Sequence, residues 1–147
     1  MLLRAGLRFL AASIAAVGVT ATLLPSTFYH RVPWVAMNPP YSEHLMRDYG
    51  AMNLALAVVI TVAAVTVNTL LVRAALSALL VFAVAHLIFH ATHLEHFSTG
   101  AAVAELATLS LAVALPGALL ALTRARSPDG PRRSGVKRRG AGQRPGP

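Results

Sequence analysis

The sequence contains no cysteine. That excludes a disulfide scaffold, a CxxC redox pair, covalently attached c-type haem, thiolate metal sites and the thiol chemistry of quinone-linked membrane oxidoreductases. Charge is scarce as well. Only 12% of the 147 residues are charged, about half the share in an ordinary soluble domain. There is no phosphate-binding glycine loop, no nucleophile elbow and no catalytic-triad spacing. Apolar residues make up 56% of the chain and the mean hydropathy is +0.62. A soluble chain of this length does not bury that much apolar surface, because the buried fraction is limited by size. A water-soluble enzyme and a free nucleic-acid-binding domain are therefore disfavoured, despite the net charge of +8.

Four long uncharged runs are present instead. Residues 9–29 carry no ionisable side chain except Tyr29, and residues 49–72 and 106–123 carry no formal charge. Residues 74–94 lack Arg, Lys, Asp and Glu but hold three histidines. A helix needs about 20 apolar residues to cross the hydrocarbon core. A membrane barrel needs at least eight alternating strands, which these Ala- and Leu-rich runs do not supply. Val58-Val59-Ile60 would hint at a strand in water. In lipid each span must satisfy its own backbone, which favours helix. The expectation is an all-α polytopic membrane protein with four transmembrane helices in an up-down bundle. The spans fall near residues 7–25, 49–71, 74–97 and 101–122, within a domain covering 1–123. Residues 124–147 hold eight Arg or Lys, one Asp and many Gly and Pro, and read as a disordered basic tail.

Lys and Arg placement sets the orientation. Arg4, Arg8, Arg73 and the eight tail residues fall on one side, against Arg31 and Arg47 on the other. Both termini are thus expected in the cytoplasm. Twelve Arg against one Lys fits a GC-rich bacterial genome, hence a bacterial cytoplasmic membrane. The tail suits anionic lipid headgroups, at about 1 kcal/mol per basic residue near the surface. Nucleic acid is a poor partner for it, since no aromatic interleaves the charges to stack on bases. Arg4 and Arg8 before an apolar run ending in Val19-Thr20-Ala21 also resemble a cleavable signal peptide, although the run is slightly long for one. In the loop over 25–48, Tyr29, Trp34 and Tyr41 favour the membrane interface. Pro39-Pro40 excludes regular helix there, and Ser42 is placed to N-cap span two. Thr66 and Asn68 are expected to pair with a neighbouring helix, and Pro116-Gly117 to kink span four.

The six histidines all fall in or near the outer half. His30 and His44 lie in the first outer loop, and His86, His90, His93 and His96 at the outward end of span three. With His86 at zero, helical geometry puts His90 at about +40° and His93 at about −20°. Three imidazoles thus form one stripe, and imidazole is the commonest ligand of zinc, copper and iron at such spacing. Polar side chains at membrane depth are costly, so the stripe should face the bundle interior. The short third loop should place Glu105 at the depth of His93. His44 and Asp48, an i, i+4 pair, are positioned to cap the cluster. The candidate metal ligands are therefore His86, His90, His93, Glu105 and His44. Arg47, Asp48 and Asn53 form a candidate polar pocket for a headgroup or quinone carbonyl. A salt bridge from Arg47 to Glu105 is an equal alternative for that carboxylate. The single HxxxHxxH box, without an HH pair, does not fit a di-iron desaturase. Axial ligation of haem b would need His44 opposite span three.

Glu43-His44-Leu45, Arg47-Asp48-Tyr49-Gly50 and Asn53-Leu54-Ala55-Leu56 lead into span two, and Ala85-His86-Leu87-Ile88-Phe89-His90 with His93-Leu94 lies on span three. On these short motifs, residues 5–122 resemble the small four-helix DoxX-like bacterial membrane proteins and their actinobacterial relatives. The resemblance implies a four-helix membrane bundle. Some DoxX-like members are associated with quinone or thiosulfate oxidation complexes, and the resemblance assigns no role to individual residues here.

Three functional readings stand side by side. One is a non-catalytic binding or accessory subunit whose histidines hold a transition metal (Zn, Cu or Fe) or sense external acidity. Another is a redox subunit using quinone or haem b beside a partner subunit. The last is a structural scaffold whose histidines line a wet vestibule or make interhelical hydrogen bonds. A transport role would require a homo-oligomer, an expectation by analogy with larger transporters.

Overall fold

The structure, a computed structural model, describes residues 1–37 and 40–125. The expectations for Pro39 and for residues 126–147 of the basic tail lie outside the described residues. The chain forms α1 (Leu2–Leu23), α2 (Pro25–Arg31), a 3-10 turn (Val35–Met37), α3 (Glu43–Thr66), α4 (Thr69–Ala91) and α5 (Thr99–Ala125). No strand occurs among the described residues. The helices α1, α3, α4 and α5 are each long and apolar enough to cross a membrane. They pack as an up-down bundle in which α1 lies against α3, α3 against α4, α4 against α5 and α5 against α1. The protein is thus a multi-pass membrane protein in contact with lipid. One end of the bundle gathers the starts of α1 and α4 and the ends of α3 and α5, and is called the terminal end below. The opposite end carries the longer connections and is called the loop end.

Helix boundaries move from their expected places because polar caps, not charges, define them. The helix of span two begins ahead of the apolar run, at Glu43, where Ser42 is the N-cap expected of it and its hydroxyl accepts the Leu45 N–H at 3.3 Å. The polar turn from Glu43 to Asp48 therefore belongs to the helix. It ends at Thr66, because Val67 takes a left-handed conformation (φ 51°) and donates its N–H to the Ala63 carbonyl. Asn68 then N-caps α4 by accepting the Leu71 N–H at 3.0 Å. Thr66 bonds the Val62 carbonyl of its own helix. Neither Thr66 nor Asn68 makes the cross-helix pair expected of it. Span three ends at Ala91, with the Thr92 N–H and hydroxyl both serving the carbonyls of Ile88 and Phe89. The loop expected over 25–48 contains a two-turn helix, α2, with Pro25 in its first turn, where the missing proline N–H costs nothing. The helix α5 continues through the buried Pro116.

The core is unevenly distributed. Large aliphatic side chains fill the terminal half, including Leu7 of α1, Ile60 of α3, Leu76 and Leu79 of α4 and Leu119 of α5. Towards the loop end the buried positions become small or polar: Gly18, Ala21, Gly50, Asn53, Ala83 and Glu105. There α1 and α3 approach backbone to backbone. A Cβ on Gly50 would lie 2.6 Å from the Thr22 nitrogen and 2.9 Å from the Gly18 carbonyl oxygen, and would collide with the Thr22 hydroxyl. A Cβ on Gly18 would lie 2.9 Å from the Leu54 nitrogen and 3.0 Å from the Gly50 oxygen. Close contact between small residues is how membrane helices gain packing without a hydrophobic drive between them.

Gly50→Val is therefore expected to lower the thermal midpoint in detergent, with a loss of about 1–3 kcal/mol or more from overpacking against immovable backbone. Gly117→Ala, where nothing lies within 4 Å, serves as the control and should leave the midpoint unchanged or slightly raised. Equal midpoints for Gly50→Val and the wild type would show that the two helices are not in contact at that point.

Candidate functional site: a buried carboxylate–histidine pair

Glu105 lies in the second turn of α5 and is fully buried, with 0% of its side chain exposed. The short 92–98 connection folds α5 back along α4, which sets Glu105 beside the last turn of α4. There His90 Nδ1 lies 2.6 Å from Glu105 Oε1, with the His90 side chain 12% exposed. Glu105 Oε2 has no hydrogen-bond partner among the described residues. A carboxylate taken out of water costs several kcal/mol unless it is paired and hydrogen-bonded. Such a group inside a membrane span marks a functional position by default.

Aromatic rings extend this pair across the bundle. His86, one turn before His90, meets its ring edge-on at a centroid distance of 4.5 Å. Phe82 stacks on His86 at 5.2 Å, and Tyr49 of α3 stacks on it at 5.8 Å. Phe89 meets His90 edge-on at 5.4 Å. Tyr49, His86, His90 and Glu105 thus make a contiguous series from α3 through α4 to α5. At its end an imidazole and a carboxylate lie close enough to share a proton.

The remaining candidates are distributed elsewhere. His93 falls beyond the end of α4, so the stripe expected to hold three histidines carries two. Its Nδ1 lies 2.8 Å from the Phe89 carbonyl and its ring stacks on Phe89 at 4.2 Å. Glu105, expected at the depth of His93, meets His90 instead. His44 does pair with Asp48, at 3.2 Å, but the two side chains are 88% and 63% exposed and do not cap the cluster. Arg47 does not reach Glu105. It bonds Glu43 Oε1 at 2.8 Å and donates to the Thr22 carbonyl in the last turn of α1 at 2.7 Å. Asn53 is buried and donates to the Tyr49 carbonyl at 2.8 Å. Arg47, Asp48 and Asn53 therefore serve different partners and do not converge on one pocket.

Among the described residues, no three His, Asp or Glu side chains converge as a metal-holding group. The arrangement offers one carboxylate and one imidazole in direct contact, fewer than the three protein ligands of a typical catalytic zinc site. Tyr49, Phe82 and Phe89 were not among the sequence candidates. Phe82 and Phe89 lie four residues before and three after His86, so the same helical period that links the histidines also marks them. Tyr49 belongs to another helix and left no such trace. Comparison with family models, with curated proteins and with solved structures finds no match.

A double-mutant cycle on His90→Ala and Glu105→Gln, read by thermal or denaturant unfolding in detergent, measures the pair. His90→Ala alone is expected to be the more destabilising, by about 3–5 kcal/mol, because it leaves a buried carboxylate unpaired. Adding Glu105→Gln should recover part of that loss, with a coupling of about 0.5–3 kcal/mol. Strict additivity would mean that the two side chains are not in contact.

Proposed function

We propose that this protein is a non-catalytic membrane subunit that responds to acidity at its loop end through the His90–Glu105 pair. The observation that carries this reading is the fully buried Glu105 carboxylate, held within 2.6 Å of an imidazole on the adjacent helix. Histidine is the side chain whose ordinary titration spans pH 5 to 8. A change of protonation at the pair alters the number of charges in a water-poor site, so it biases how α4 and α5 pack at that end. The groups facing the pair are His86 and Phe89 on α4 and, through His86, Tyr49 on α3. The metal-binding form of the same reading has less support, because the donor set is short of ligands.

Orientation completes the proposal. The Lys and Arg asymmetry supports both termini in the cytoplasm, and with a bacterial origin the pair would lie near the external face of the cytoplasmic membrane. The basic residues of the tail then lie where anionic headgroups are available. The DoxX-like resemblance is compatible with an accessory place in a membrane complex and supplies no ligand.

The test is infrared difference spectroscopy of the protein in liposomes between pH 8 and pH 5, with emission of Trp34, the single tryptophan, as a conformational readout. The expected result is a carboxylate-to-carboxylic-acid conversion that disappears in Glu105→Gln and shifts its midpoint in His90→Gln, accompanied by a Trp34 change in the wild type alone. Identical spectra in wild type and Glu105→Gln would overturn the proposal, as would carboxyl titration with no change at Trp34. Stoichiometric metal in the purified wild type, lost in His90→Ala, would replace acid sensing by metal binding. A visible haem band or quinone-dependent activity would replace it by the redox reading.

A further inference from the structure

A second feature lies at the opposite end of the molecule, on the surface shared by α1 and α3. A groove of about 350 Å3 runs between them. Its α1 wall is made of Ala11, Ala12 and Ala15, and its α3 wall of Thr61, Ala64 and Val65. These side chains are too short to close the gap. The Thr61 hydroxyl is committed to the Ala57 carbonyl of its own helix at 2.7 Å, so the groove presents apolar surface along its length. Arg8 closes the end nearest the chain terminus. Its side chain is exposed, and among the described residues it has no hydrogen-bond or ion-pair partner.

The geometry points to one occupant: we propose that this groove holds an acyl chain of an anionic phospholipid, with its phosphate at Arg8. An apolar channel that begins at a cation near a helix end and runs inward has the layout of a lipid, headgroup outermost. Arginine can lay its stem along apolar surface while its guanidinium stays at the interface, and its planar fork pairs phosphate oxygens two at a time. A second copy of the chain is the weaker fit on charge. Four of the five acidic residues, Glu43, Asp48, Glu95 and Glu105, lie at the loop end, and the fifth, Asp129, is outside the described residues. A helix from a copy inserted in the same sense would bring no described carboxylate to the depth of Arg8. The site is separate from the His90–Glu105 pair and does not depend on the acid-sensing reading.

Native mass spectrometry of the full chain, released from mixed phosphatidylglycerol–phosphatidylcholine nanodiscs, tests this. The wild type is expected to retain one phosphatidylglycerol in preference to phosphatidylcholine. Arg8→Gln should reduce that preference about fivefold, the weight of one basic residue at an anionic surface, and Arg8→Lys should restore most of it. Ala12→Leu and Ala15→Leu together should remove retention of both lipids by filling the groove. Arg4→Gln, outside the groove, should behave as the wild type. Equal retention of the two lipids by the wild type overturns the proposal, as does an unchanged preference in Arg8→Gln. So does a dimer that cross-links through positions 12 and 65.

Discussion

A backbone carbonyl or N–H left without a partner at membrane depth costs several kcal/mol, and this constraint accounts for several of the polar side chains at the helix ends. Ser42 and Asn68 each take up an N–H at a helix start, and Thr92 closes the end of α4. Two arginines serve the other helix ends. Arg47 near the start of α3 donates to Thr22 in the last turn of α1, and Arg73 near the start of α4 donates to the Thr123 carbonyl in the last turn of α5 at 3.0 Å. Each places a cation at the negative end of a helix dipole. Each also ties a helix to its antiparallel neighbour, so the bundle consists of two clamped pairs, α1 with α3 and α4 with α5.

The clamps sit at opposite ends, and so do the two kinds of interior. At the terminal end Leu7, Ile60, Leu76 and Leu119 interdigitate into an aliphatic core, which supplies dispersion contacts but no chemistry. At the loop end the bundle is joined by the close contact of Gly18 with Gly50 and by the ring series from Tyr49 to His90. Glycine contacts bring α1 and α3 together tightly, and the aromatic rings fill the wider space between α3 and α4. The buried Glu105 carboxylate there has an imidazole as its neighbour, which offsets part of its desolvation. The bundle thus has an aliphatic half and a half that carries the carboxylate–histidine pair.

Much of this was legible in the residues alone. Charge-free runs of membrane length, together with the absence of any alternating strand pattern, gave four helices and their antiparallel order. The serine before Glu43 gave the start of α3 once its hydroxyl was read as a cap. The boundary of α4 was less accessible. His93 and Leu94 continue the apolar, uncharged run, and nothing in that run announces that α4 ends at Ala91, with the Thr92 N–H on the Ile88 and Phe89 carbonyls. His93 falls beyond that end, and Glu105 meets His90.

The pairing of distant side chains belonged to the tertiary structure. Arg47 had Glu105 and a headgroup or quinone carbonyl as candidate partners in sequence, and bonds Glu43 and the Thr22 carbonyl, 25 residues away on the packed α1, instead. Tyr49 became the neighbour of His86 through the relative rotation of α3 and α4, which no period within one helix encodes. What the sequence by itself determined is membrane residence, the number of spans and the concentration of histidine and carboxylate at one end. These depend on local composition and on the length of an apolar run. Which imidazole meets which carboxylate depends on helix ends and rotations set by packing between helices, and only the assembled bundle decides it.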